Sequence, residues 1–191
     1  MKGVKYIQTG ADIPLRNREK CDYLLEIKQH YGLSIFVETG TYMGQTVEIM
    51  RRHFLKVYSI ELSVELYNRA VRKFSGCENV KLRCGDSGVE LGEVMRELNE
   101  AALFWLDAHY SRGVTVRGDR ETPIIEELRH ILDAPDLGHV VVIDDAREFG
   151  EKADYPTMEQ VRDFVLSRRN AEIVVKDDGI RILPLNSRCS C

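Results

Sequence analysis

The chain has 191 residues, 43% hydrophobic and 30% charged, a balance that fits one globular domain with a substantial core. Its net charge of −4 gives no electrostatic case for a nucleic-acid partner or an anionic membrane, and no apolar stretch is long enough to span a bilayer. Five cysteines (Cys21, Cys77, Cys84, Cys189, Cys191) are odd in number and irregular in spacing, which argues against a disulfide framework or a zinc site.

In chain order, Met1–Lys20 carries Lys2, Lys5, Arg16, Arg18 and Lys20 without a clear period, and reads as a terminal arm or as a lid over the site, the arm being the commoner case. It lacks the apolar core of a signal peptide, so the cytoplasm is the expected location. Short apolar runs then alternate with amphipathic stretches. The runs predict strands at Ser34–Glu38, Val57–Glu61, Val80–Cys84, Leu103–Asp107, His139–Asp144, Ala171–Lys176 and Ile180–Pro184. The stretches predict helices at Asn17–Tyr31, Gln45–Phe54, Val64–Phe74, Val89–Leu98, Pro123–Leu132 and Met158–Ser167. Within this pattern Cys84 is expected as a small core residue, and Trp105 and Tyr42 as packed aromatics.

Alternating strands and helices, with strands apolar on both faces, imply a parallel sheet covered on both sides. The final two strands are joined by Asp177-Asp178-Gly179, and Asp-Gly is a hairpin signal, so the last strand is expected to be antiparallel. The expected fold is therefore α/β: a Rossmann-like, doubly wound seven-stranded sheet, mostly parallel with an antiparallel C-terminal hairpin. A single domain over 1–191 is expected, with an N-terminal arm and helix over 1–30 and an active-site loop over 112–121.

The most informative stretch is 36–46, Phe-Val-Glu-Thr-Gly-Thr-Tyr-Met-Gly-Gln-Thr. An apolar run ends in Glu38, two glycines (Gly40, Gly44) follow, and a helical pattern begins. Strand, glycine turn and helix start form the nucleotide-cofactor end of an α/β unit, because glycine lets a ligand approach the backbone. The spacing is Glu-x-Gly-x-x-x-Gly, not the Gly-x-Gly-x-x-Gly of dinucleotide folds. An acid at the strand end repels a pyrophosphate and suits an ammonium or a ribose. The next four strands also end in acids: Glu61, then Asp86 within Gly85-Asp86-Ser87, then Asp107, then Asp144-Asp145. A single such acid is explained by helix capping. Five in succession point to one shared site at the strand ends.

These residues, in this order, resemble the class I S-adenosylmethionine-dependent methyltransferases. The resemblance implies a cofactor site made of Glu38, Thr39, Gly40, Thr41, Tyr42, Gly44, Gln45, Thr46, Glu61, Leu62, Gly85, Asp86, Ser87 and Asp107. Glu38 and the glycine loop would hold the methionine part, Glu61 the ribose hydroxyls and Asp86 the adenine amine. Asp107-x-His109-Tyr110 followed by Asp144-Asp145 resembles the metal-dependent O-methyltransferases of catechol and macrocin type. That likeness implies Mg²⁺ held by Asp107, Asp144 and Asp145, with Asp107 and His109 as the catalytic residues and His109 placed to take a proton from the acceptor hydroxyl.

The segment Tyr110–Glu121 departs from the catechol pattern. Its Arg112, Arg117 and Arg120 suit a carboxylate or phosphate on the acceptor, or are ordinary surface charge. The expected activity is methyl transfer to a hydroxyl of a small molecule or sugar, including an anionic metabolite, with no nucleic-acid or membrane partner; a homodimer is compatible with it. The alternative is a non-catalytic protein on the same fold that binds the cofactor or a partner. A nicotinamide-dependent dehydrogenase fits less well, given the glycine spacing.

Overall fold

The computed structural model describes residues 15–107, 122–152 and 155–185. His109, Tyr110, the 112–121 loop and the Cys189–Cys191 tail lie outside the described residues. The elements are α1 (Leu15–Tyr31), β1 (Ile35–Thr39), α2 (Gln45–Met50), β2 (Lys56–Glu61), α3 (Val64–Lys73), β3 (Val80–Cys84), α4 (Ser87–Glu97), β4 (Ala102–Leu106), α5 (Ile124–Asp133), β5 (Val140–Ile143), α6 (Met158–Leu166), β6 (Ala171–Lys176) and β7 (Gly179–Pro184), with a 3₁₀ turn at Ala146–Glu148. None of these helices is long and apolar enough to cross a membrane.

The strands form one sheet in the order β3-β2-β1-β4-β5-β7-β6. The first five are parallel; β7 runs antiparallel to both β5 and β6. The chain reverses direction across the sheet between β1 and β4, the place where ligands bind in open α/β sheets. Side chains alternate across the sheet with period two. Val37, Ile60, Phe104, Leu106 and Ile143 join a core with Leu91, Leu128 and Val161 of α4, α5 and α6. Phe36, Val57, Leu103, Trp105 and Val142 join a second core with Leu24, Met50 and Ala70 of α1, α2 and α3. Both faces are thus covered, which is why these strands read as unbroken apolar runs.

Several local expectations change. Helix α2 ends at Met50, not Phe54, because Arg52 and His53 donate three residues back, to Ile49 and Met50. This tighter turn frees Phe54 to pack on Phe36, ring centroids 5.3 Å apart. Helix α4 starts two residues early, at Ser87, since Asp86 caps it. The hairpin loop is Asp177-Asp178, both with positive φ (53° and 60°), and Gly179 already pairs with Lys176. Positive φ at both central residues is the turn geometry that matches strand twist. Cys84 is exposed, contrary to expectation, because it ends an edge strand with a neighbour on one side only. Tyr42 is 46% exposed in a left-handed conformation (φ 48°), so it is not a core aromatic; Trp105 is buried as expected.

Candidate functional site

The glycine turn after β1 contains three left-handed residues, Gly40 (φ 88°), Tyr42 and Gly44 (φ 65°). The turn is anchored on all sides. Gly40 and Thr41 donate to the Ile60 carbonyl of β2 at 2.9 and 3.3 Å. Glu61 accepts the Tyr42 N–H at 2.7 Å through one carboxylate oxygen and the Ser63 N–H at 2.9 Å through the other. Lys73 of α3 donates to the Met43 and Gly44 carbonyls at 3.0 and 2.8 Å. A Cβ on Gly44 would meet the Phe74 ring at 2.9 Å. Gln45 and Thr46, half-buried, form the first turn of α2.

Glu38 lies fully buried beneath this turn. The β1–β2 register puts it beside Ser59, whose hydroxyl donates to it at 2.7 Å. The Ser59 and Thr41 hydroxyls are 2.5 Å apart, so a hydroxyl chain runs from the buried acid to the loop. Burial pushes the Glu38 carboxyl up to about 8; Ser59 opposes this, and the negative Asp107 and Glu61 reinforce it. The acids of β1, β2 and β4 therefore act on one another electrostatically.

Beyond β3, half-buried Gly85 donates to the Glu61 carbonyl at 3.0 Å, which joins two strand ends. Asp86 is exposed and caps α4 by accepting the Gly88 N–H at 2.8 Å. Ser87 is buried, and Leu62 is half-buried beside Glu61.

The β4–β5 register pairs Leu106 with Ile143, so Asp107 and Asp144 follow side by side. The Asp144 N–H donates to the Leu106 carbonyl at 3.0 Å, and the Asp107 N–H to the Thr39 carbonyl at 3.2 Å. Asp145 takes a left-handed conformation (φ 54°), and its side chain makes no cap hydrogen bond to the 3₁₀ turn that follows. Asp107, Asp144 and Asp145 each bring a carboxylate oxygen within 4.8 Å of the others. Burial and the neighbouring Asp107 raise Asp144 to about 6, and the Lys20 ammonium pulls it back. Clustered hard oxygen donors at this spacing fit a divalent cation, which relieves their mutual repulsion.

Three functional candidates were missed in the sequence. Lys20 of α1 donates to Asp144. Ser59 holds Glu38. Glu127 of α5 is fully buried behind the site. Burial raises its carboxyl to about 7; the Ser87 and Thr39 hydroxyls oppose this, and Asp86 and Asp107 add to it. Glu127 had a sequence signal: it occupies a core position in the helical period of Ile124, Leu128 and Ile131. Buried His139 precedes β5, at the opposite sheet end, where Phe104 packs edge-on against its ring.

No protein-family model matches the chain, and no curated protein matches it. Solved structures do. An O-methyltransferase from Bacillus cereus in complex with S-adenosylhomocysteine is 18% identical, covering 90% of this chain and 82% of its own, with a TM-score of 0.61. The N-methyltransferase NodS from Bradyrhizobium japonicum, bound to the same product, is 15% identical, covering 91% and 90%, TM-score 0.60. The O-methyltransferase TomG from Streptomyces achromogenes, in complex with S-adenosylmethionine, is 17% identical, covering 87% and 80%, TM-score 0.59. The chain is built on the fold of the class I S-adenosylmethionine-dependent methyltransferases.

Proposed function

We propose that the protein is an S-adenosylmethionine-dependent O-methyltransferase, assisted by Mg²⁺, acting on a hydroxyl of a small molecule or sugar. One observation carries this reading: on a fold shared with methyltransferases that hold this cofactor, acids from consecutive parallel strands converge at the sheet's carboxyl end. S-adenosylmethionine supplies a methyl group on a sulfonium, and a divalent ion lowers the pKa of an acceptor hydroxyl. The chain's own residues do the rest.

Glu38 lies under the turn as a latent anion, which a nearby ammonium or sulfonium stabilises. The turn residues Thr39, Gly40, Thr41, Tyr42 and Gly44 present backbone to the methionine part. Each Glu61 oxygen spends one lone pair on a backbone N–H and keeps another for a ribose hydroxyl. Asp107, Asp144 and Asp145 hold the ion, and His109 takes the acceptor's proton. Holding donor and acceptor in line supplies most of the rate.

Titration calorimetry tests the reading. Both S-adenosylmethionine and S-adenosylhomocysteine are expected to bind at one site per chain, with Glu61→Ala weakening both. Failure of the wild-type protein to bind either removes the proposal.

A further inference from the structure

We propose that Lys20 is the resident counter-cation of the Asp107/Asp144/Asp145 cluster, and that a divalent ion enters only by displacing it. The proposal rests on the metal reading above. Even-numbered Val140 and Val142 of β5 face α1, and Asp144 continues that alternation. Asp107 continues the alternation of Leu103 and Trp105, which face the same helix. Cys21 and Leu24 of α1 are buried against this face, so Lys20, one residue before Cys21, is delivered to the carboxyl end of the sheet. Its ammonium lies 5.5 Å from the centroid of the Trp105 ring and donates to Asp144 Oδ2.

The pair is shielded. The Asp144 side chain is 3% exposed and that of Lys20 21%, so water dilutes their attraction little. Asp145 has a cation of its own, Arg147 at 2.8 Å, but Arg147 is 48% exposed and also reaches Asp178, so it competes weakly. An ammonium and a divalent ion on the same carboxylate repel as the inverse of their short separation. Lys20 offsets part of the cluster's negative charge and blocks the Asp144 oxygen it occupies, and two further carboxylates remain to attract an ion. Ion entry is thereby coupled to undocking of Lys20 from the sheet end.

The test measures Mn²⁺ affinity by calorimetry on full-length wild type, Lys20→Met and Lys20→Arg, with melting temperature as a second readout. Lys20→Met is expected to bind Mn²⁺ at least about tenfold more tightly than wild type, about 1.4 kcal/mol. Lys20→Arg, which keeps a cation there, is expected to bind no more tightly than wild type. Without ion, Lys20→Met is expected to melt lower, because Asp144 has lost its partner, and Mn²⁺ should raise its melting temperature more than that of wild type. If Lys20→Met does not fold, Lys20→Gln carries the same expectation. Equal Mn²⁺ affinity in wild type and the neutral variant, or weaker affinity in the variant, overturns the proposal and leaves the metal site standing. Absence of Mn²⁺ binding in every variant overturns both.

Discussion

Glu38 couples protonation to stability and, in the proposed function, to ligand binding. Its carboxyl is raised to about 8 in the fold, against 4.5 for an ordinary glutamate. Between those values the folded chain keeps a proton that the unfolded chain has released, so stability falls as pH rises through the window, by about 1.4 kcal/mol per unit. Glu127, raised to about 7, adds to the same trend. Melting temperature is therefore expected to drop more steeply between about pH 6 and pH 8 in wild type than in Glu38→Gln, which stays neutral and can still meet Ser59. A cationic cofactor favours the ionised form, so its binding releases a proton and tightens as pH rises toward 8. That pH dependence should flatten in Glu38→Gln; calorimetry in buffers of different ionisation enthalpy reads the released proton directly. A flat wild-type affinity across this range contradicts the assignment of Glu38 to the cofactor's positive end.

At the scale of elements, the glycine turn between β1 and α2 is the rigid part of the site. It is tied to β2 through Ile60 and Glu61 and to α3 through Lys73. Gly44 is needed twice over, for its positive φ and for the Phe74 ring packed where a Cβ would go. Gly44→Ala is expected to cost about 1–3 kcal/mol in urea unfolding and to weaken cofactor binding as α2 shifts. Unchanged stability would mean that the turn is softer than its anchors imply. This turn was legible in the sequence because its signal is local: an apolar run, an acid and spaced glycines. Among the described residues, β1, β4 and β5 were legible for a related reason, since both faces of the sheet are covered there and their runs are unbroken up to the polar end. Errors came where a neighbour decides the outcome. Cys84 looks like core in isolation, but edge placement exposes it. The end of α2 is set by where Phe54 must pack.

For the whole molecule, strand order brings a linear series of acids together at one end of the sheet. Glu38, Glu61, Asp107, Asp144 and Asp145 were legible as candidates because each ends an apolar run. Their convergence required the β2-β1-β4-β5 order, which no single segment encodes. Lys20 and Asp144 are 124 positions apart, and only the docking of α1 on the sheet joins them, so no sequence pattern announces the pair. Glu127 was legible in principle, as a charge at a core position of α5. The most direct test of the central claim is a crystal structure grown with S-adenosylhomocysteine and Mn²⁺. The account predicts the ribose at Glu61, the homocysteine part on the 40–44 turn, and anomalous density among Asp107, Asp144 and Asp145, with Lys20 withdrawn from Asp144. Product bound away from these strand ends, or none bound at all, would contradict it.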